Sequence, residues 1–157
     1  MASTRVAVAL GSNLGDRLEF LRFAVREVGG VLAKSRVYET DPVGGPDQQG
    51  AYLNMALLVE TPLDPFAFIR RLQRIEADAG RQRVIHWGPR TLDLDLLFYD
   101  DARIQTAELT VPHPRYAERR FVLHPLSDVA PEHCPVDWDT TLPAGGVWPI
   151  GELDELS

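Results

Sequence analysis

What the chain has little of narrows its possibilities before any motif is read. It carries one cysteine, Cys134, in 157 residues, so no internal disulfide can form and the cross-linked framework of small secreted domains is excluded. Apolar runs such as Val6 to Leu10 and Leu96 to Tyr99 span only a few positions, far short of the roughly 20 needed to cross a bilayer. Residues 1 to 5 hold no basic region ahead of an apolar core, because the run beginning at Val6 leads at once into Gly11-Ser12-Asn13. A soluble, cytoplasmic protein with no membrane partner is expected. Positive charge is also short: 16 Lys+Arg against 23 Asp+Glu leave a net charge of −7, which repels a nucleic-acid backbone. A phosphate cradle of the Gly-x-x-x-x-Gly-Lys type is missing, and Gly11-Ser12-Asn13-Leu14-Gly15 merely opens a helix. Internal repeats, heptads and linkers are missing too, so one domain over residues 1–157 is expected.

What is there reads as alternating elements. Arg5 to Leu10 is short, β-branched and apolar, which predicts a buried strand running into a turn. Leu14, Leu18, Leu21, Val25 and Val28 recur at four- and three-residue steps. Asp16 with Glu19 resembles a capping box and Gly29-Gly30 supplies a stop, so a helix is predicted. Val31 to Thr40 and Tyr52 to Glu60 read as two strands, with the Gly- and Pro-rich stretch from Asp41 to Gly50 as a long loop between them. Asp64-Pro65 supplies an N-cap and a first-turn proline. Phe66, Ile69, Leu72, Ile75 and Ala79 mark the face of a second helix stopped by Gly80. A second loop runs to Arg90, and Thr91 to Tyr99 alternates as a strand. Beyond it, Pro112, Pro114, Pro125, Pro131, Pro135, Pro143 and Pro149 permit only short elements. The order βαββαβ predicts an α+β, ferredoxin-like antiparallel sheet with two helices on one face and an irregular proline-rich C-terminal extension. Fold alone assigns no function.

The chemistry is concentrated in two adjoining segments. In Leu92-Asp93-Leu94-Asp95-Leu96-Leu97, strand alternation puts Asp93 and Asp95 on one face, about 7 Å apart, with the leucines on the other. Like charges that close oppose folding unless a cation sits between them. Hard oxygen ligands suit Mg²⁺; a solvated strand face paired to arginines is the other reading. Just upstream, Gly80-Arg81-Gln82-Arg83-Val84-Ile85-His86-Trp87-Gly88-Pro89-Arg90 combines arginine forks with one aromatic ring and flexible ends. This segment fits either a phosphate-binding loop or a solvated basic loop with Trp87 in the core. Asn54, polar in an apolar strand, suggests an amide that reads a hydrogen-bonding edge or satisfies a bulge. Pro112-His113-Pro114 holds a histidine stiffly.

Val8-Ala9-Leu10-Gly11-Ser12-Asn13-Leu14-Gly15, Tyr52-Leu53-Asn54, Gln73-Arg74-Ile75-Glu76, Gly80-Arg81, Trp87-Gly88-Pro89-Arg90-Thr91-Leu92-Asp93-Leu94-Asp95 and Val111-Pro112-His113-Pro114 together resemble the 2-amino-4-hydroxy-6-hydroxymethyldihydropteridine pyrophosphokinase family, over about residues 5 to 130. The resemblance implies transfer of a pyrophosphoryl group from MgATP to 6-hydroxymethyl-7,8-dihydropterin, leaving AMP, in folate biosynthesis. It implies that Asp93 and Asp95 hold two Mg²⁺ ions. Arg81 and Arg90 would stabilise charge developing around the β-phosphorus, and Arg83 and Trp87 would close over the site. Gln73, Glu76, Leu96, Thr110, His113 and Arg119 would bind ATP together with Arg83, Trp87 and Arg90. Thr40, Pro42, Val43 and Asn54 would contact the pterin, Tyr52 and Phe121 would sandwich its ring, and Trp87 would cover it. One of Gln48 and Gln49 would take the family's glutamine position. A monomer with small-molecule partners and no nucleic acid is expected.

Two rival classes share this fold. An RNA-binding module would place aromatic and basic residues on the central strands, where this chain places acids. An acylphosphatase-like hydrolase would use an arginine and an asparagine without paired aspartates, and would not depend on magnesium.

Overall fold

The computed structural model describes residues 3–13, 16–40, 52–81, 92–143 and 145–156. Five strands and two helices build the predicted core: β1 (Thr4–Ser12), α1 (Arg17–Val28), β2 (Val31–Lys34), β3 (Val37–Thr40), β4 (Tyr52–Thr61), α2 (Pro65–Arg81) and β5 (Leu92–Tyr99). After it come β6 (Ile104–Gln105), β7 (Thr110–Val111), α3 (Arg120–Val129), α4 (Trp138–Thr141) and β8 (Val147–Gly151). The main sheet runs β5-β1-β4-β3-β8 with β2 also on β4, and every pairing is antiparallel. This is the ferredoxin-like α+β arrangement, extended by one edge strand. Among the described residues no helix is long and apolar enough to cross a membrane.

The helix N-caps act as expected, whereas Gly80 lies inside α2, which runs on to Arg81, and Leu14 lies outside the described residues. The Asp16 carboxylate accepts the Glu19 N–H at 3.1 Å and Asp64 accepts the Ala67 N–H at 2.9 Å, each satisfying a first-turn donor. The sheet then has two differently covered faces. Val6, Val8 and Leu10 of β1, Leu53, Met55 and Leu57 of β4, and Leu92, Leu94 and Leu96 of β5 pack under Leu21 and Ala24 of α1 and Phe68, Leu72 and Ile75 of α2. Each such fully buried leucine contributes about 2 kcal/mol. On the opposite face, Ala7 and Leu97 pack against Val122, Leu123 and Leu126 of α3.

Two expectations are corrected. The single strand from Val31 to Thr40 is two strands, broken at Ser35-Arg36. Ser35 is 1% exposed; its main-chain N–H donates to the Ala56 carbonyl at 2.9 Å and its hydroxyl accepts the Ala56 N–H at 2.8 Å. The side chain thus replaces a main-chain acceptor while the strand shifts register. The extension is also more ordered than its prolines suggest. Pro125 lies inside the ten-residue α3, where the apolar face of Val122, Leu123 and Leu126 outweighs its missing donor. β8 pairs with β3, and the turn after it buries Leu153 in the helix-side core. Arg22 of α1 donates to the carbonyls of Leu153 and Leu156, and Lys34 pairs with Asp154 at 2.9 Å.

His124 of α3 lies between Tyr38 and Trp138, with ring centroids at 5.8 and 4.8 Å. Burial, and next the Arg120 guanidinium, push its pKa below the ordinary value of 6.5. The fold therefore favours neutral imidazole, while the unfolded chain takes up the proton first. Stability is expected to be fully present above pH 6.5 and to fall below it, until the folded pKa is passed. Urea midpoints at pH 7.5 and 5.5 check this: His124→Gln should show a smaller difference than the parent, and an equal one rules the assignment out.

Candidate active site

Register gives the open face its order. Gly11 in β1 stands opposite Asn54 in β4 and Asp93 in β5, and Asn54 stands opposite Tyr38 in β3. Directly opposed residues of antiparallel strands send side chains to the same face. Asp93, Gly11, Asn54 and Tyr38 therefore form one row across four strands. A neighbouring row holds Asp95, Ala9 and Ala56. Thr40 stands opposite Tyr52, two residues from Tyr38 and Asn54, and shares the face. This is the side on which α3 packs; α1 and α2 cover the other.

The two halves of the row differ chemically. At the β5 end, Asp93 and Asp95 are partly exposed while Leu92, Leu94 and Leu96 are 2–4% exposed, so the buried leucines fix the direction of the acids. Glu76 on α2 supports this strand from its outer edge, its carboxylate accepting the Leu94 N–H at 2.7 Å. His113 is tied to the same strand by its main-chain N–H, which donates to the Leu97 carbonyl at 2.9 Å. Burial lowers the His113 pKa; Asp95 opposes that shift and Arg119 adds to it, so both charges lie near the imidazole. The Arg119 guanidinium lies 5.7 Å from the Phe121 ring centroid.

At the β4 end, Asn54 is 6% and Thr40 7% exposed, and the Asn54 amide donates to the Thr40 hydroxyl at 2.7 Å. Tyr52 is partly exposed beside them. Gly11 separates the halves. A Cβ at Gly11 would lie 3.2 Å from the Asn54 Oδ1, so the bare glycine lets that amide oxygen lie against the strand backbone.

The face thus gathers Thr40, Tyr52, Asn54, Asp93, Asp95, His113, Arg119 and Phe121. It does not gather the Leu96 side chain, which is buried 3% exposed in the helix-side core; its main chain lies on the outer edge of β5, two residues from the Leu94 N–H that Glu76 takes. Gln73 is exposed on α2 and Thr110 is partly exposed on β7. Arg81 contributes the last residue of α2. Pro42, Val43, Gln48, Gln49, Arg83, Trp87 and Arg90 lie outside the described residues, as does most of the expected closing loop. Sequence reading missed the part played by Gly11 and the Thr40 partner of Asn54, both visible only once strand register is known.

Asp93 and Asp95 supply the hard oxygen donors that Mg²⁺ takes. Among the described residues no group of three or more His, Cys, Asp or Glu is placed to hold a metal. The pair still fits Mg²⁺, which is commonly held by one or two carboxylates with water and substrate phosphate completing its shell.

Fold and face place the chain among α+β proteins of ferredoxin-like topology that carry their polar groups on the sheet face opposite the two crossover helices. The model of the 7,8-dihydro-6-hydroxymethylpterin-pyrophosphokinase family matches residues 7–131. A 2-amino-4-hydroxy-6-hydroxymethyldihydropteridine pyrophosphokinase of Bacillus subtilis is 48% identical over 127 residues, covering 78% of this chain and 75% of that one. One from Methylorubrum extorquens is 40% identical over 134 residues, covering 82% and 84%. The bifunctional protein FolKE of Lactococcus lactis is 39% identical over 127 residues, 78% of this chain but 36% of its own length. Among solved structures, a Plasmodium falciparum HPPK-DHPS triple mutant superposes with a TM-score of 0.67 at 15% identity, over 83% of this chain and 40% of that one. The chain spans about 40% of that two-part protein, and at such identity the likeness shows the fold. The chain belongs to the 7,8-dihydro-6-hydroxymethylpterin-pyrophosphokinase family.

Gly11→Ala is expected to destabilise the protein by about 1–3 kcal/mol, because the added methyl displaces the Asn54 amide from its place beside Thr40. Urea denaturation measures this, and a midpoint within error of the parent contradicts the close approach.

Proposed function

We propose that the row from Asp93 through Gly11 to Asn54 is where this family member carries out its reaction, with the anionic co-substrate over β5 and the heterocycle over β4 and β3. The reaction is transfer of a pyrophosphoryl group from ATP to the hydroxymethyl group of hydroxymethyldihydropterin, in folate biosynthesis. The chain is a diphosphotransferase, with ATP as co-substrate. The single observation that carries the residue-level reading is that one strand register sets a carboxylate pair and a buried amide on the same face, one glycine apart.

In this reading the substrate hydroxyl attacks the β-phosphorus of ATP. Its O–P bond forms, the bond from the β-phosphorus to the α,β-bridging oxygen breaks, AMP carries that oxygen away and the hydroxyl proton passes to solvent. Two Mg²⁺ ions held by Asp93 and Asp95 would neutralise charge on the triphosphate. The protein's own work is positioning and charge compensation, so neither a covalent nucleophile nor a strong base is needed. Arg119 and His113 border the acids and orient phosphate oxygens. Arg81, Arg83 and Arg90 add positive charge from the neighbouring segment, and Trp87 covers both substrates. Gln73, Glu76, Thr110 and the Leu96 main chain line the β5 edge for the nucleotide. Thr40, Asn54, Pro42 and Val43 meet the polar rim of the pterin, and Tyr52 and Phe121 meet its faces. Because one chain supplies residues to both halves, we take the working unit to be a monomer and residues 1–157 to be one domain, acting in the cytoplasm.

The decisive experiment incubates the protein with MgATP and the hydroxymethyldihydropterin. AMP should appear in step with the pterin pyrophosphate; ADP or inorganic phosphate in its place overturns the reaction class. Asp95→Asn keeps the side-chain shape but is a poor Mg²⁺ ligand, and is expected to lose nearly all turnover with the fold intact by circular dichroism. Normal turnover at saturating magnesium would sink its assignment. Asn54→Leu is expected to weaken pterin binding by about 1–3 kcal/mol and leave ATP affinity unchanged; calorimetry showing equal losses for both ligands refutes that division of the face.

A further inference from the structure

One carboxylate on α3 gathers the donors of the β2–β3 junction. Asp128 Oδ2 accepts the Arg36 main-chain N–H at 3.0 Å and its Nε–H at 3.2 Å, and Oδ1 accepts from Nη2 at 3.2 Å. The Tyr38 hydroxyl lies 3.0 and 3.1 Å from the two oxygens, and it accepts from Arg36 Nη2 at 2.9 Å. The three groups close a ring of charge-assisted hydrogen bonds in which the phenol has one donor role and one acceptor role. Tyr38 is 2% exposed. Burial and then Asp128 push its pKa up to about 12, so it remains a donor throughout the neutral range.

This cluster lies on the open face, in the row that carries Asn54. Two contacts give the relative direction of α3 and β3: Arg36 meets Asp128, and Tyr38 meets His124. Moving two residues forward on β3, about 7 Å, corresponds to moving four residues back on α3, about 6 Å. The two elements therefore run in opposite directions, and one further step brings the turn of α3 that carries Phe121 alongside Thr40. The Asp128 cluster is a polar tie between these two elements. Arg36 is half-exposed, so its ion pair with Asp128 adds little to stability by itself. Directional bonds from four donors to one carboxylate add a defined spacing.

Taking the pterin reading of this face, we propose that Asp128 is a positioning residue for the heterocycle. Acting through Tyr38 and Arg36, it fixes the gap between the Phe121 turn of α3 and the β3–β4 pair bearing Thr40, Tyr52 and Asn54, and so sets the slot for a flat ring. Asp128 itself touches neither substrate.

The test compares the parent with Asp128→Asn, Tyr38→Phe and the double variant, titrating each full-length protein separately with the hydroxymethyldihydropterin and with MgATP. Tyr38→Phe removes one hydroxyl and keeps the ring, so it remains informative if Asp128→Asn fails to fold. Val28→Ala, a core truncation on the far side of the sheet, serves as a control for lost stability alone. Both single variants should weaken pterin binding at least tenfold while ATP affinity stays within twofold. The double variant should be no weaker than the worse single, because both changes break one tie. Val28→Ala should bind pterin like the parent. Folded variants with parent-like pterin affinity overturn the proposal, as does a pterin loss matched by Val28→Ala at equal destabilisation. A parent that binds ATP but no pterin removes the pterin reading itself, a result distinct from failure of the Asp128 tie.

Discussion

Strand β1 is hydrogen-bonded on both sides, and its register with β4 and β5 decides which side chains reach the open face. Because side chains alternate, a slip of one residue against β5 would bury Asp93 and Asp95 beneath α2 and expose Leu92 and Leu94. The same slip against β4 would remove Asn54 from the row. The leucines, valines and helix faces on the other side oppose both slips, since each would expose several buried apolar side chains at about 2 kcal/mol apiece. The hydrophobic core thus holds the polar groups in line, although it touches none of them.

The open face also divides by polarity. The β5 end carries carboxylates, a histidine and an arginine, where charge is neutralised by charge. The β4 end carries a buried amide bonded to a buried hydroxyl, where, in the proposed reading, hydrogen-bond direction and the cost of leaving a partner unmade would set specificity. Gly11 and Ala9 between them present almost no side chain. In the proposed reading a flat substrate and a charged one would meet above that low floor without either half changing its character.

Much of the core fold was legible because its signals are local. The Asp16 and Asp64 caps, the four- and three-residue spacing on both helices and the Leu-Asp alternation of β5 each report on a few neighbouring residues, and the structure places them accordingly. The break at Ser35 was not legible, because it depends on a hydroxyl meeting Ala56 on another strand. Helix α3 was hidden by Pro125, whose penalty is visible in the sequence while the apolar surface that outweighs it is not. For the site, the acid pair, Asn54 and His113 stand out as residue types in unexpected places. The low floor at Gly11 and the Asp128 cluster depend on pairings between distant segments, which no spacing rule reveals.

The pairing of β8 with β3 has a consequence for how the molecule is made. β3 leaves the ribosome roughly 100 residues before β8, an interval on the order of 5–20 seconds. Through that interval the outer edge of β3 has no strand beside it, and the Arg22 and Lys34 contacts to residues 153–156 do not yet exist. A nascent chain in that state presents an open sheet edge to any neighbour emerging from the same message. The order of synthesis therefore makes the half of the sheet that carries Thr40 the last to be sealed, and crowded polysomes the setting in which misassembly of this protein would begin.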